Sequence, residues 1–325
     1  MNKAIIAARQ FIPYGESNIG VEEYGRGIIH DTYLVTPGNG ADRFILQRLN
    51  TSIFLNPQAV MHNLQVVCDH IEKRMQLGNS GIDAAWQMLH AIPARDGRYL
   101  FIDADGDFWR ALSFIQGAVS LEQISGPAAA REVGRALGTF HLLVSDLDPE
   151  LLHETLPGFH NVEQYLEHFA AVAVEAGDES EAGRFCQRFI EERQDWAPVL
   201  ENARRDNLLR LRVIHGDPKI TNIMVDRLTG KAVSIIDLDT VMPGLVLYDI
   251  GDCLRSCCNP SGEEVTDLAG VLFDPDRCES VLSGYADAAP GVLRHEDFDF
   301  LYDAIRLIPF ELGLRFYADF LAGDV

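Results

Sequence analysis

The chain has 325 residues, 47% of them hydrophobic and 23% charged, the balance of an ordinary globular protein with room for one or two domains. Its formal net charge of −22 argues against a nucleic-acid binder, which needs a basic face to replace phosphate counterions. No apolar run reaches the length of a membrane span.

The charge is unevenly placed: residues 1–114 balance to −2 and residues 115–325 to −20. An acidic second half suits solubility, and its field also suits a cationic substrate. The opening stretch MNKAIIAARQFIP breaks off at Arg9 and Gln10, too short and polar for a secretory signal, so a cytoplasmic protein is expected. Cys68, Cys186, Cys253, Cys257, Cys258 and Cys278 contain no Cys-x-x-Cys pair and read as free thiols of a reducing compartment.

In chain order, residues 18–37 predict two strands joined at Gly25-Arg26-Gly27. Alternation puts Ile29, Asp31 and Tyr33 on one face and Ile28, His30, Thr32 and Leu34 on the other. Gly25 and Gly27 suit either an ordinary hairpin turn or close approach of backbone amides to a phosphate. Arg43–Arg48 predicts a third strand. Residues 56–76 predict a helix, with Val60, Leu64, Val67, Ile71 and Met75 spaced by three or four and Pro57 in the first turn. Residues 99–115 give two strands around Asp105-Gly106. From Gly126 onward the pattern is helical: 127–144, 161–176, 180–200, then 246–258, 274–287 and 296–321. Strands first and helices second predict an α+β protein of two lobes with a cleft between them. The small antiparallel-sheet lobe spans 1–114 and the mainly helical lobe 115–325, meeting near Phe114–Gly117.

The chemistry concentrates in residues 213–252. His215-Gly-Asp217-Pro-Lys219-Ile-Thr-Asn222 precedes two apolar runs, 223–225 and 232–236, with Gly230 between them, which predicts a hairpin. That hairpin carries Asp237 back beside Asp217 and Asn222. The order His, Asp, Lys, Asn is that of the catalytic loop of protein kinases. Phosphoryl transfer has a loose transition state, so catalysis is positioning plus neutralisation of charge. It needs one carboxylate to take the acceptor's proton, for which Asp217 is the candidate. An Asn and a second carboxylate, Asn222 and Asp237, are candidates for holding Mg2+. Lys219 is placed to neutralise the transferred group.

These motifs resemble the aminoglycoside/choline-kinase branch of the protein-kinase-like fold, and within it the N-acetylhexosamine 1-kinases. The resemblance continues through Ile236-Asp237-Leu-Asp239-Thr240-Val-Met-Pro243-Gly, Tyr248-Asp-Ile-Gly-Asp252-Cys-Leu-Arg255 and Glu311-Leu-Gly-Leu-Arg315-Phe316. It implies ATP between the lobes, with adenine against a hinge at Ser113–Gln116 that includes Ser113 and Ile115. The acceptor's anomeric hydroxyl then lies near Asp217, and Asp239 and Arg315 are candidates for holding sugar hydroxyls or the N-acetyl group. For Arg315, an i,i+4 surface pair with Glu311 explains the spacing equally well. Asp249, Asp252 and His215 are expected to brace the loop.

Two departures stand out. Protein kinases place a lysine on the third strand, paired with a helix glutamate; this strand offers only Gln47 and Arg48. Arg48 paired with Glu72 is the expected substitute, provided the strand register turns Arg48 inward. The chain also stops at Phe320-Leu-Ala-Gly-Asp-Val325, where the hexosamine kinases continue. Two other readings stay open: an aminoglycoside or amino-alcohol kinase, and a catalytically inert binding module of the same fold. The sequence carries no signature of an oligomeric state.

Overall fold

The computed structural model describes residues 2–13, 18–25, 27, 29–38, 40–78, 85–262 and 268–323. Arg26 and Ile28 of the glycine connection, and the last two residues of the chain, lie outside the described residues. A helix not anticipated from the pattern, α1 (Asn2–Ala8), opens the chain. There follow β1 (Ile19–Glu23), β2 (Asp31–Pro37), β3 (Phe44–Arg48), α2 (Pro57–Gln76), β4 (Ala91–Ile92), β5 (Phe101–Ile102) and β6 (Phe108–Ser113). These strands form one antiparallel sheet in the order β1-β2-β3-β6-β4, with β5 paired to β6.

The register decides which side chains face inward. Thr32, Gln47 and Arg110 lie opposite one another across β2, β3 and β6, and Asp31, Arg48 and Trp109 form the adjoining row. Because successive strand residues alternate in face, these rows look opposite ways. The Trp109 face is sealed by Ala4, Ala7 and Ala8 of α1 with Phe11 and Ile12. The other face joins the main core through Leu112 and α2. Asn56 caps α2, its side chain accepting the Ala59 N–H at 3.1 Å. Val60, Leu64, Val67 and Ile71 of α2 are at most 1% exposed, each burial stabilising the fold by about 1.5–3 kcal/mol.

The second part contains β7 (Ala118–Ser120), α3 (Pro127–Leu143), α4 (Val162–Ala176), α5 (Glu181–Glu191), α6 (Val199–Arg205), β8 (Arg212–Ile214), β9 (Ile223–Asp226), β10 (Ala232–Ile235) and β11 (Met242–Gly244). It ends with α7 (Val246–Cys257), α8 (Pro275–Ala288), α9 (His295–Asp299) and α10 (Leu301–Ala322). The whole is α+β, as expected. Two single helices expected from the pattern are each broken in two. The 180–200 stretch divides into α5 and α6 at Arg193, which leaves helical geometry at φ −126°, ψ 2°, and α6 resumes only after Pro198, which has no N–H to give a preceding turn. The 296–321 stretch breaks at Phe300, which leaves helical geometry at φ −105°, ψ 5°.

β9 and β10 form the expected hairpin, and β9 also pairs with β7. Its turn is built by Asp226, whose Oδ1 accepts the Leu228 and Thr229 amides at 3.1 and 2.8 Å. β8 pairs with β11, so the stretch before His215 runs beside the stretch after Asp239. Beneath them α3 and α8 touch backbone to backbone. A Cβ on Gly134 would lie 1.9 Å from the Val281 carbonyl oxygen, and one on Gly284 would lie 2.0 Å from that of Arg131.

Candidate active site

The loop after β8 carries Asp217, and a buried carboxylate shapes it. Asp249 on α7, fully buried, accepts the His215 and Gly216 amides at 2.6 and 2.8 Å and His141 Nε2–H at 2.8 Å. Burial works against its charge, but these donors and the nearby imidazoles hold its carboxyl below the usual range. Gly216 sits at φ +87°, and a Cβ there would meet the Thr240 carbonyl oxygen at 2.6 Å, so the turn requires glycine. Thr240 Oγ1 donates to the His215 carbonyl at 2.8 Å. His215 accepts the Asp217 amide at Nδ1 (3.3 Å) and donates from Nε2 to the Ile236 carbonyl (3.0 Å). Its one basic nitrogen is therefore occupied, and burial depresses its pKa; it braces the loop and is no second base.

Asp217 is half-buried, with Lys219 Nζ against its Oδ2. Burial disfavours the lysine's charge, yet Asp217, Asp237 and Asp252 together raise its pKa. Asn222 donates from Nδ2 to the Asp217 carbonyl at 2.8 Å, and its own carbonyl takes the Ile236 amide at 2.9 Å. That last bond sets Asp237 beside the loop, through an Asp237 backbone in the left-handed region at φ 65°. No donor among the described residues reaches the Asp237 carboxylate. Burial, then the charges of Asp239 and Asp217, push its carboxyl up to about 6. An anion so placed is what a cation would relieve. Among the described residues no three His, Cys, Asp or Glu side chains converge as a metal cage. Asp237 and the Asn222 side-chain oxygen fit Mg2+, which takes one or two protein ligands and completes its shell with phosphate and water.

Several expected residues stand elsewhere. Arg48 is turned to the outer row, where it meets Asp31 and reaches Asp107 at 3.4 Å. Glu72 is exposed and accepts from Gln76 at 3.3 Å, so the expected Arg48–Glu72 pair does not form. Strand alternation is the cause: Gln47, not Arg48, faces inward. Asp239 is not open to an acceptor either. It is 1% exposed, and its oxygens take Arg110 Nη1 and Nη2 at 2.5 and 2.7 Å and His30 Nε2 at 2.6 Å. Burial opposes this charge, but Arg110 and His30 hold the carboxyl far below its ordinary range. Asp252 does not brace the loop: its Oδ1 takes Arg255 Nε at 2.8 Å, and its Oδ2 is buried without a hydrogen-bond partner among the described residues.

Gly25, at φ +77°, has open space about it, and Tyr24 brings this connection against Phe114 at 5.9 Å between rings. Gly27 is likewise open. Ser113 is tied to the β4 edge, its amide donating to the His90 carbonyl and its Oγ accepting the His90 amide, both at 2.8 Å. Ile115 is buried against the main core. Arg315 is more than a surface pair. Its guanidinium lies 5.4 and 5.3 Å from the Phe159 and Tyr165 rings, and its partner Glu311, at 3.7 Å, is buried.

Sequence reasoning gave no role in the site to His160, Arg110, His30 and His141, single polar residues whose partners are far away in the chain. His160 donates from Nδ1 to Glu311 Oε2 at 3.1 Å and from Nε2 to the Gly216 carbonyl at 2.9 Å. Two acceptor partners require both nitrogens protonated. Burial alone would lower its pKa, but Glu311 and the Gly216 carbonyl raise it from 6.5 to about 9. A raised folded-state pKa contributes stability that is full below about pH 6.5 and is lost as pH rises through about 9. The melting temperature of the protein is therefore expected to fall across that window by more than that of His160→Asn, measured by calorimetry. Parallel curves would remove the charged imidazole from the loop's support.

Fold and site together define a kinase-like phosphotransferase with an alcohol group as acceptor. The chain belongs to the APH phosphotransferase enzyme family, whose model matches residues 20–279. Among solved structures, a choline kinase from Cryptosporidium parvum is similar at TM-score 0.60 and 15% identity, covering 97% of this chain and 89% of that one. An aminoglycoside phosphotransferase from Alicyclobacillus acidocaldarius is similar at 0.57 and 10%, covering 95% and 97%. A microcompartment-associated aminopropanol kinase is similar at 0.56 and 18%, covering 98% and 95%. At these identities the likeness is one of fold. Among the described residues no helix is long and apolar enough to cross a membrane.

Proposed function

We propose that this protein transfers the γ-phosphoryl group of ATP to the anomeric hydroxyl of an N-acetylhexosamine, with Mg2+ held by Asn222 and Asp237. In this reading ATP lies between residues 1–114 and 115–325, its adenine beside Ser113–Gln116 and its phosphates under the Gly25 and Gly27 connection. The acceptor oxygen attacks phosphorus, the bond to the ADP oxygen breaks, and Asp217 takes the acceptor's proton. Lys219 offsets charge on the transferred group, and Arg315 meets the acceptor. Six free thiols accord with a cytoplasmic setting.

The observation that carries the choice of a neutral acceptor is charge compensation around Asp217. Asp252 is paired with Arg255, Glu311 with His160 and Arg315, and Asp249 with His141. A polycationic aminoglycoside calls for several uncompensated carboxylates, whereas a polyol needs mixed donors and acceptors. The amino sugar itself rests on the motif likeness. One observation favours a singly charged amino alcohol instead: the Oδ2 of Asp252, which has no hydrogen-bond partner among the described residues.

ADP release with MgATP separates these readings. Turnover is expected with GlcNAc or GalNAc and not with their methyl glycosides, which lack a free anomeric hydroxyl. Turnover confined to choline, ethanolamine or kanamycin would overturn the sugar assignment. Absence of turnover with every acceptor and intact ATP binding would favour the inert module.

A further inference from the structure

The fold faces a mechanical problem that the missing third-strand lysine makes visible: something must tie the sheet to the turn that holds Asp237. We propose that Arg110, Asp239 and His30 are that tie, and that Arg110 is a positioning residue for Asp237 and not a nucleotide ligand. This rests on the reading of Asp237 as the Mg2+ ligand.

Arg110 lies on β6 and is 1% exposed, among the largest fully buried side chains of the protein. Every nitrogen of its guanidinium is engaged within the protein. Nε and Nη2 donate to Gln47 Oε1 at 3.0 and 2.8 Å, and Nη1 and Nη2 donate to the two oxygens of Asp239. Nη1 also meets Met61 Sδ of α2 at 3.9 Å. Gln47 is itself set by its Nε2, which donates to Thr32 Oγ1 at 3.2 Å. The inward row of the sheet, Thr32–Gln47–Arg110, is thus one hydrogen-bonded file ending on Asp239. A guanidinium so occupied, in a bidentate pair, is a fixed fork and leaves no ready donor for a phosphate.

His30 supplies a second hold from the same part of the chain. Its Nδ1 accepts the Asn50 amide at 3.0 Å, so Nε2 carries the proton and donates it to Asp239 Oδ2. The neutral ring suffices. On the other side Thr155 Oγ1 donates to the Asp239 carbonyl at 2.9 Å, and Asn63 of α2 donates to the Val241 carbonyl at 2.8 Å. Asp239 stands two residues after Asp237, in the tight turn Leu238–Thr240. A left-handed Asp237 is a strained backbone position and persists only where its surroundings over-determine it. The file through Arg110 is the part of those surroundings that comes from the sheet.

The test uses Arg110→Met combined with Asp239→Leu, because a buried pair replaced by apolar side chains is often close to neutral for folding. Nucleotide binding is followed by fluorescence of a labelled ATP analogue, with EDTA and across a Mg2+ titration, alongside the melting temperature. The double variant is expected to melt below the parent, since His30 Nε2 and Gln47 Oε1 lose their partners, yet to stay folded and bind nucleotide equally in EDTA. It should need about tenfold more Mg2+ for half-maximal tightening. His30→Phe, which leaves the ion pair in place, is expected to shift the Mg2+ requirement in the same direction by a few-fold. Folded variants with the parent's Mg2+ dependence would overturn the proposal. A tenfold loss of binding in EDTA would overturn it differently, making Arg110 a phosphate ligand. Asp237→Ala is the control: if it too leaves the Mg2+ dependence unchanged, the reading of Asp237 fails, not the tie.

Discussion

Asp217→Asn is expected to lower kcat by about 10²–10⁴-fold, the range that general-base catalysis supplies, while the KM for ATP stays within a few-fold. The substitution preserves shape, and the Asn222 bond to the Asp217 carbonyl is made by backbone and does not depend on the side chain. What disappears, on the proposed reading, is the group that would take the acceptor's proton. Lys219 loses its closest partner as well, though Asp237 and Asp252 still support its charge. Neither His215 nor Asp249 can replace the base: His215 has its basic nitrogen filled by the Asp217 amide, and Asp249 is saturated by three donors. Pre-steady-state mixing separates chemistry from product release. A variant that retains the parent's single-turnover rate would show that Asp217 is not the base.

The same residues show how much of the site was legible beforehand. Asp217, Asn222 and Asp237 could be found because their geometry is made locally: a loop, a hairpin with Asp226 and Gly230 in its turn, and a return. The α2 helix and its Asn56 cap were legible for the same reason, since periodicity and capping act within a few residues. The supports of the site were not. Arg110 and Asp239 are 129 residues apart, and His141 and Asp249 are 108 apart; no local pattern couples them. Gln47 and Arg48 illustrate a different limit. A strand's period of two leaves open which of two adjacent residues faces inward until the partner strands fix it. Register placed Gln47 opposite Arg110 and sent Arg48 out to Asp31. No cation of β3 faces inward, and the buried arginine of the sheet, Arg110, sits on β6 with its donors already taken by Gln47 and Asp239.

Asp249→Ala should be the most destabilising single change near the site, costing about 3–5 kcal/mol. Its carboxylate is fully buried and accepts three donors, two of them backbone amides on either side of the Gly216 turn. Removing it leaves those amides and His141 without an acceptor, where water cannot easily replace it. Each orphaned buried donor costs about 1–3 kcal/mol, and a charge-assisted bond lies at the upper end. His141 would keep its bond to Tyr285 at 2.8 Å, so the loss falls chiefly on the catalytic loop. Activity should therefore drop even in the fraction that remains folded, because Asp217 follows Gly216 directly. Asp249→Asn is a graded form of the same experiment: it keeps one acceptor oxygen and turns the other position into a donor facing a donor. It should fall between the parent and Asp249→Ala in urea midpoint and in kcat. An Asp249→Ala protein within about 1 kcal/mol of the parent would mean the loop holds its shape without the carboxylate. The bonds that the Thr240 and His160 side chains donate to the His215 and Gly216 carbonyls would then have to carry that geometry alone.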